Sequence, residues 1–398
     1  MPRWLYPLLI AAPFAVVAAV LHAPAIVSFG LSVIALIPLA GLIGRSTEDL
    51  AQHVGALAGG LLNATFGNAA ELIIGVLALQ AGLTDVVKAT ITGSIIGNAL
   101  LVLGTAIIWG GWVHGTQFFN ARHAGQYAAM LALAVVGLAL PALANNIQPG
   151  QGPFTGRPNI QLLSALVAAV LLACYGGYLA YAVFGVGAKE QPDDSQQLRS
   201  FRQQEEEKPV DQRSMPAIAA EPSQPLSPAV GQDNSPARRY KRSAIWLPMG
   251  ILFAATVGTA VVSEILVQAI EPVTHQLGWS TLFVGLIIIP IAGNAAEHAS
   301  AVTMAVHNHM DITMAITAGS SIQVALLVAP VLVLLSLIYP IFPQPLDLVF
   351  TRLELVILAL VMVLYALISL DGESSWLEGL LLVAFYAMVA ITFFLVPS

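Results

Sequence analysis

Two glutamates, Glu71 and Glu297, each close the same five-residue string, Gly-Asn-Ala-Ala-Glu, found at Gly67–Glu71 and again at Gly293–Glu297. Each string lies inside an apolar stretch long enough to cross a bilayer. Holding an ionisable side chain at that depth costs roughly 3 kcal/mol on insertion scales. A chain that does so twice, with identical neighbours, has a use for both carboxylates. With the amides of Asn68 and Asn294, and with main-chain carbonyls loosened around Gly67 and Gly293, the carboxylates make a hard oxygen-ligand set. Asn63 and Thr65 precede the first string; Pro290, ahead of the second, frees a carbonyl one turn earlier. Hard divalent cations such as Ca²⁺ suit such ligands, with Glu71 and Glu297 as the metal-binding pair, whereas soft metals prefer thiolate or imidazole.

No Lys or Arg stands near either string in the sequence. Two close carboxylates without a cation repel and are poorly solvated, so the vacant site should hold protons that a divalent cation displaces. The chemistry expected is exchange of a cation against protons. Packing of helices through small residues and Asn is the competing reading of such a string, and the duplication, both copies ending in glutamate, weighs against it.

A second tier of polar residues surrounds the strings. Glu48 and Glu264 are expected near opposite ends of their helices, as gates or steps of a proton pathway. Ser94 and Asn98, and Ser320, Ser321 and Gln323, bring hydroxyl and amide groups to similar depth and are candidates to line the pathway; interhelical hydrogen bonding is the alternative. His298 follows Glu297 but points about 100° away on a helix. His307, His309 and Asp311 fall in a short turn, more simply read as solvated than as a peripheral metal site. Cys174, the one cysteine, lies in an apolar run and can form neither an internal disulfide nor a Cys-rich metal site.

The elements that must position these groups are membrane helices. Of 398 residues 57% are apolar and only 9% charged, against about 25% charged in soluble domains. At about 20 apolar residues per crossing, the chain divides into eleven spans, all α-helical. They run roughly Leu5–Leu21, Ile26–Gly44, Ala56–Leu79, Val86–Trp109, Tyr127–Leu143, Ile160–Phe184, Ala244–Ile270, Leu282–Val306, Ile312–Ile338, Leu348–Leu370 and Trp376–Leu395. The second is open to extension past Arg45 towards His53, since no breaker interrupts it there. The N-terminus, with Arg3 before an apolar segment lacking a small-residue cleavage site, reads as a retained first span. Placed inside, it puts twelve of the fifteen Lys and Arg on the cytoplasmic face and only Lys88, Arg157 and Arg352 outside. Lys189–Ser243, rich in Gln, Glu, Pro and Ser, reads as a cytoplasmic linker that does not fold alone; its Glu205–Glu207 run reads as solvated.

The motifs recur at an offset of 226, as do Gly93-Ser94 with Gly319-Ser320 and Ala99–Val102 with Ala325–Val328. The motif spans are the third and the eighth, an odd number apart, so they run in opposite directions. The organisation expected is an unpaired first helix (residues 1–24), a five-helix repeat (25–187), the linker (188–243) and an inverted five-helix repeat (244–398). Such repeats place substrate sites at the bilayer midplane between discontinuous helices.

At these residues the chain resembles the cation/proton exchanger (CAX) family of Ca²⁺/H⁺ antiporters, within the calcium/cation antiporter superfamily. Leu61–Glu71, reading LLNATFGNAAE, is similar to the family's first repeat signature, and Gly293–His298, reading GNAAEH, to its second. The resemblance implies one helix followed by two inverted five-helix repeats, Glu71 and Glu297 as the central cation and proton site, and pathway roles for Glu48 and Glu264. Family members often carry a strongly acidic helix between the halves, which this linker lacks. The activity expected is export of cytosolic Ca²⁺ against protons by alternating access across a bacterial plasma membrane. The alternatives are a cation channel with the same carboxylates as a selectivity ring, and an antiporter for Mn²⁺ or Na⁺. The partners implied are the bilayer and the transported Ca²⁺ and H⁺, with no resident cofactor and no nucleic acid. An enzyme is not expected: an intramembrane protease would need His-Glu-x-x-His or Gly-x-Gly-Asp, and neither occurs.

Overall fold

Without water in a bilayer core, a spanning backbone must satisfy its own hydrogen bonds, and helices do so within one segment. The computed structural model describes residues 3–146, 159–184, 245–338 and 340–395, and helices dominate them. The expected linker, with Glu205–Glu207, lies outside the described residues. In chain order the helices are α1 (Ala11–Val20, after a 3-10 stretch Arg3–Ile10), α2 (Ala25–Phe66), α3 (Ala69–Gln80), α4 (Thr84–His114), α5 (Ala121–Asn145) and α6 (Ile160–Phe184). They continue with α7 (Trp246–Leu277), α8 (Thr281–Gly293), α9 (Ala295–Val306), α10 (Met310–Ser336), α11 (Arg352–Ile368) and α12 (Trp376–Leu395). One two-residue ladder, Gln117–Phe118 antiparallel to Glu373–Ser374, clasps the α4–α5 and α11–α12 connections.

Among the described residues seven helices are long and apolar enough to cross a membrane, or eight when α8 and α9 count as one span bent by 57°. Three further segments are too short or interrupted to pass alone: Tyr6–Val20, Ala69–Gln80 and the 17-residue α11. Together these are consistent with the eleven spans expected. The second span does extend past Arg45, to Val54.

The third span is formed differently from its expected straight 24-residue helix. Helical hydrogen bonding continues through Ala25–Phe66, yet a Cβ on Gly59 would lie 2.9 Å from the Ala51 carbonyl oxygen, eight residues earlier. A straight helix separates such positions by about 12 Å, so α2 doubles back between them. Its last turns and α3 then form the third span, broken at Gly67-Asn68. The eighth span is broken at Asn294 in the same way. Short π-helical stretches interrupt α4 (Gly97–Val102), α8 (Val284–Ile288) and α10 (Val324–Val328).

The helices around the motifs approach closely through small residues, as membrane helices do. The first part of α2 packs lengthwise on α7. Helix α4 crosses α8 where Gly93 faces the Leu286 backbone; a Cβ on Gly93 would overlap the Leu286 carbonyl oxygen. Pro290 lacks the N–H that would otherwise bond that carbonyl in an α-helix. Helices α4 and α10 touch at equivalent points: Ser321 Oγ donates to the Ile95 carbonyl at 3.4 Å, and the two residues are 226 apart.

At one end of the bundle the segment before α11 is tied down. Lys88 Nζ reaches Asp347 Oδ1 and the Val349 carbonyl, both at 3.2 Å, and the Leu348 N–H donates to Ser164 Oγ. The buried Glu354 completes a capping box with Thr351 and accepts from Thr92 Oγ1 at 3.0 Å. Every polar atom of that carboxylate is accounted for, so its burial serves structure.

Candidate functional site

Both motif glutamates occupy the third position of a new helix. Asn68 leaves helical geometry at φ −110°, ψ 27° and α3 begins at Ala69; Asn294, at φ −90°, ψ 9°, precedes α9 in the same way. Asn at the N-cap with Glu three residues on is also the spacing of a capping box. Neither Asn side chain caps its helix. Asn68 Nδ2 instead donates to Gln323 Oε1 on α10. The helix N-termini direct free N–H groups and positive dipole ends towards the carboxylates.

The two motifs meet. A Cβ on Gly293 would lie 3.3 Å from Glu71 Oε1, so the first carboxylate sits against the glycine of the second motif. Asn98 Nδ2, from α4, donates to Ser320 Oγ on α10 at 2.9 Å, and both side chains lie beside Glu297. Glu71 and Glu297 are within reach of each other's charge. Glu71, Asn68, Asn98, Ser94 and Asn294 are buried, and Glu297 is half-buried.

Six buried oxygens here have no hydrogen-bond partner: Asn68 Oδ1, Glu71 Oε2, Ser94 Oγ, Asn98 Oδ1, Asn294 Oδ1 and Glu297 Oε2. More than nine in ten buried polar groups are ordinarily paired. An oxygen-rich set left unpartnered at depth has the donor chemistry of a hard-cation site. Among the described residues no three His, Cys, Asp or Glu side chains come together as a metal-binding group. A cation here would therefore rest on two carboxylates supplemented by amide and hydroxyl oxygens. The His307, His309 and Asp311 turn is engaged in the fold instead: Asp311 Oδ1 accepts from the Asn120 N–H at 2.7 Å, and His307 Nδ1 lies 2.7 Å from the Thr303 carbonyl.

A cavity of about 360 Å³ leads from the surface to this cluster. Arg45 and Glu48, both exposed, stand at its mouth, and Gly67, Gly293, Glu297, Ser320 and Gln323 line its depth. On the far side of Glu71 a void of only about 10 Å³ is walled by Thr90, Ser94, Val324, Val328 and Leu332. That is at or below the size a water molecule needs. The cluster is thus open on the Glu48 side and sealed on the other.

Most of the expected site residues converge here, with two differences. Glu264 lies on the exposed face of α7, bonded at 2.7 Å by Gln268 Nε2, and does not line the cavity. Ser94 lies on the sealed side with Glu71. The sequence reading also passed over two wall residues: Gly319, and Arg45, which is 22 residues before the first motif and so invisible to a search for nearby basic residues. The i, i+3 spacing of Arg45 and Glu48 was the available signal.

Comparison with known proteins bears on the family and the fold. The family model described as "Sodium/calcium exchanger protein" matches residues 24–184 and 247–395. The chain is 41% identical to the Ca(2+)/H(+) antiporter of a Synechocystis species over 93% of its own length and 91% of the relative's. It is 38% identical to the Ca(2+)/H(+) antiporter ChaA of Bacillus subtilis, with 96% of each chain covered. The structure of native YfkE matches with a TM-score of 0.75 at 34% identity, over 98% of this chain and 100% of that one. The H+/Ca2+ exchanger CAX shares the fold, with a TM-score of 0.67 at 13% identity over 99% of this chain and 88% of that one. On the extent of these matches, the chain belongs to the sodium/calcium exchanger protein family.

Proposed function

We propose that this chain is a secondary Ca²⁺/H⁺ antiporter that exports cytosolic Ca²⁺ by alternating access. The observation that carries the reading is the set of six unpartnered buried oxygens around Glu71 and Glu297, of which Glu297 lines a cavity open on one side while Glu71 and Ser94 wall the closed void beyond it. Ca²⁺ takes six to eight oxygen ligands from carboxylates, amides and carbonyls, and the cluster offers that chemistry. Relatives named Ca(2+)/H(+) antiporter along nearly the whole chain support the same substrate.

The two carboxylates neutralise one Ca²⁺, or each holds a proton. Either load brings the site close to neutrality, and the bare dianion is penalised by burial. A site that changes sides only when loaded couples the two flows. Glu48 and Arg45 belong to the cytoplasmic mouth, with the N-terminus and the linker on that face, in a bacterial plasma membrane. The partition into an unpaired helix (1–24), two inverted repeats (25–187 and 244–398) and a linker (188–243) is supported by the paired breaks at Asn68 and Asn294 and by the contact between Ser321 and Ile95.

Sealed vesicles test the reading: added Ca²⁺ should drive proton movement, and an imposed pH difference should drive Ca²⁺ uptake. Ca²⁺ flux with no proton movement would point to a channel, and exchange with Mn²⁺ or Na⁺ alone to another cation. Glu48, at the mouth, and Glu264, on α7, are not ligands in the cluster. Glu48→Gln should lower the initial rate several-fold without abolishing it, and Glu264→Gln should lower it less. Total loss in Glu264→Gln would give that residue a central role that its position in this state does not.

A further inference from the structure

The geometry points to Arg45 as a fixed positive charge that offsets Glu48 at the cavity mouth and thereby limits how readily cations reach Glu297. The inference rests on the cavity being the cation's path. The charged side chains in its wall are Arg45, Glu48 and Glu297. Arg45 and Glu48 lie three residues apart, on one face of α2, and both are exposed. Their charges interact, but they do not close a salt bridge. The guanidinium is held from another direction, Nη1 donating to Tyr6 Oη at 3.4 Å. Tyr6 belongs to the segment that opens the chain and packs on α2. Asp49 follows Glu48 on α2 without lining the cavity.

A basic residue that only oriented the chain would not need to stand in the cavity wall, where Arg45 does. If solubility or orientation were all, any position at that end of α2 would serve. Its place beside Glu48 offsets that carboxylate within the wall, leaving Glu297 as the uncompensated negative charge lining the cavity. The second half lacks this device. Aligned on Glu48 and Glu264, Arg45 meets Val261, and Glu264 accepts a hydrogen bond from Gln268. The charge pair at the open mouth therefore has no counterpart in sequence beside Glu264.

The potential can be read without any transport. In a Cys174→Ala background, Ser300→Cys places one thiol in the cavity wall, at an exposed position. Its rate of reaction with a cationic methanethiosulfonate (trimethylammonium-ethyl) is compared with that of an anionic one (sulfonato-ethyl), in purified full-length protein. A unit charge across a partly hydrated cavity changes the local concentration of a monovalent ion about threefold, in opposite senses for the two reagents. Arg45→Gln should therefore raise the cation-to-anion rate ratio about tenfold, and Arg45→Lys should leave it within about twofold. Glu48→Gln should lower the ratio, and the double variant should return it to the parent value. Arg45→Met, which also deletes the charge, should raise the ratio likewise and covers the case in which Arg45→Gln does not fold.

In everted vesicles, Arg45→Gln should lower the Ca²⁺ concentration for half-maximal uptake about three- to tenfold, because a divalent ion feels the charge twice. A ratio unmoved by Arg45→Gln, or a double variant indistinguishable from Glu48→Gln, overturns the inference. So does a shifted ratio with unchanged half-saturation in vesicles that transport. Wild-type vesicles that exchange no Ca²⁺ for protons would instead refute the proposed function, while the labelling ratio still decides the role of Arg45.

Discussion

Glutamine in place of either Glu71 or Glu297 is expected to abolish Ca²⁺ uptake driven by an imposed pH difference. The substitution keeps the shape and leaves the neighbouring helices undisturbed. It removes one of only two negative charges available to the cation, since no third acidic or imidazole group joins the cluster among the described residues. It also removes a proton carrier, so binding and coupling fail together. Disturbing the supports of a metal ligand commonly costs 10- to 100-fold in affinity. Losing the ligand's charge should cost on the order of a hundredfold or more. The folded protein should survive, because a buried amide carries less desolvation cost than a buried carboxylate. Thermal unfolding in detergent should show each variant at least as stable as wild type. Uptake at half the wild-type rate in either variant would remove that carboxylate from the proposed site.

Leucine at Gly319 is expected to hold the transporter with its cavity open. Gly93 and Gly319 are equivalent at the motif offset, yet their surroundings differ. A Cβ on Gly93 would overlap the Leu286 backbone, whereas nothing lies within 4 Å of the Cβ position at Gly319, which lines the cavity. Inverted repeats that exchange conformations would bring Gly319 into the close crossing now made by Gly93, while the crossing at Gly93 opens. A side chain at 319 has room in the present state and would have none in the other. Overpacking costs about 1–3 kcal/mol where neighbours can yield. A penalty of about 3 kcal/mol would make the alternate state about a hundredfold rarer. Gly319→Leu should thus lose uptake with an unchanged melting temperature. Gly93→Leu, which clashes in the present state, should lower the melting temperature or seal the mouth against thiol reagents. Normal uptake by Gly319→Leu would refute this closing contact.

Much of this protein was legible in the residues themselves. The length of the apolar runs decides that the chain is a helical membrane protein, because a bilayer leaves a backbone few other ways to satisfy its hydrogen bonds. The duplicated Gly-Asn-Ala-Ala-Glu strings locate both helix breaks and the carboxylates, because Gly and Asn act on the backbone within a turn of where they stand. Counting spans between the strings gives their opposite directions, since direction is a matter of parity.

Other features became visible only in the folded chain. The doubling back of α2 is only weakly announced, by Gly55 just past the end of the span at Val54, since an isolated glycine is tolerated within a helical pattern. The three π-helical stretches arise where helices cross, and a helix's own period carries no trace of its neighbour. Arg45 and Gly319 join the site from α2 and α10, while Glu264, equal to Glu48 by symmetry, stays outside the cavity. A cavity is the space left between helices, set by packing angles and close crossings that no single segment encodes. Which side is open is less local still, since two nearly equivalent halves can adopt either arrangement and only their relative placement distinguishes them.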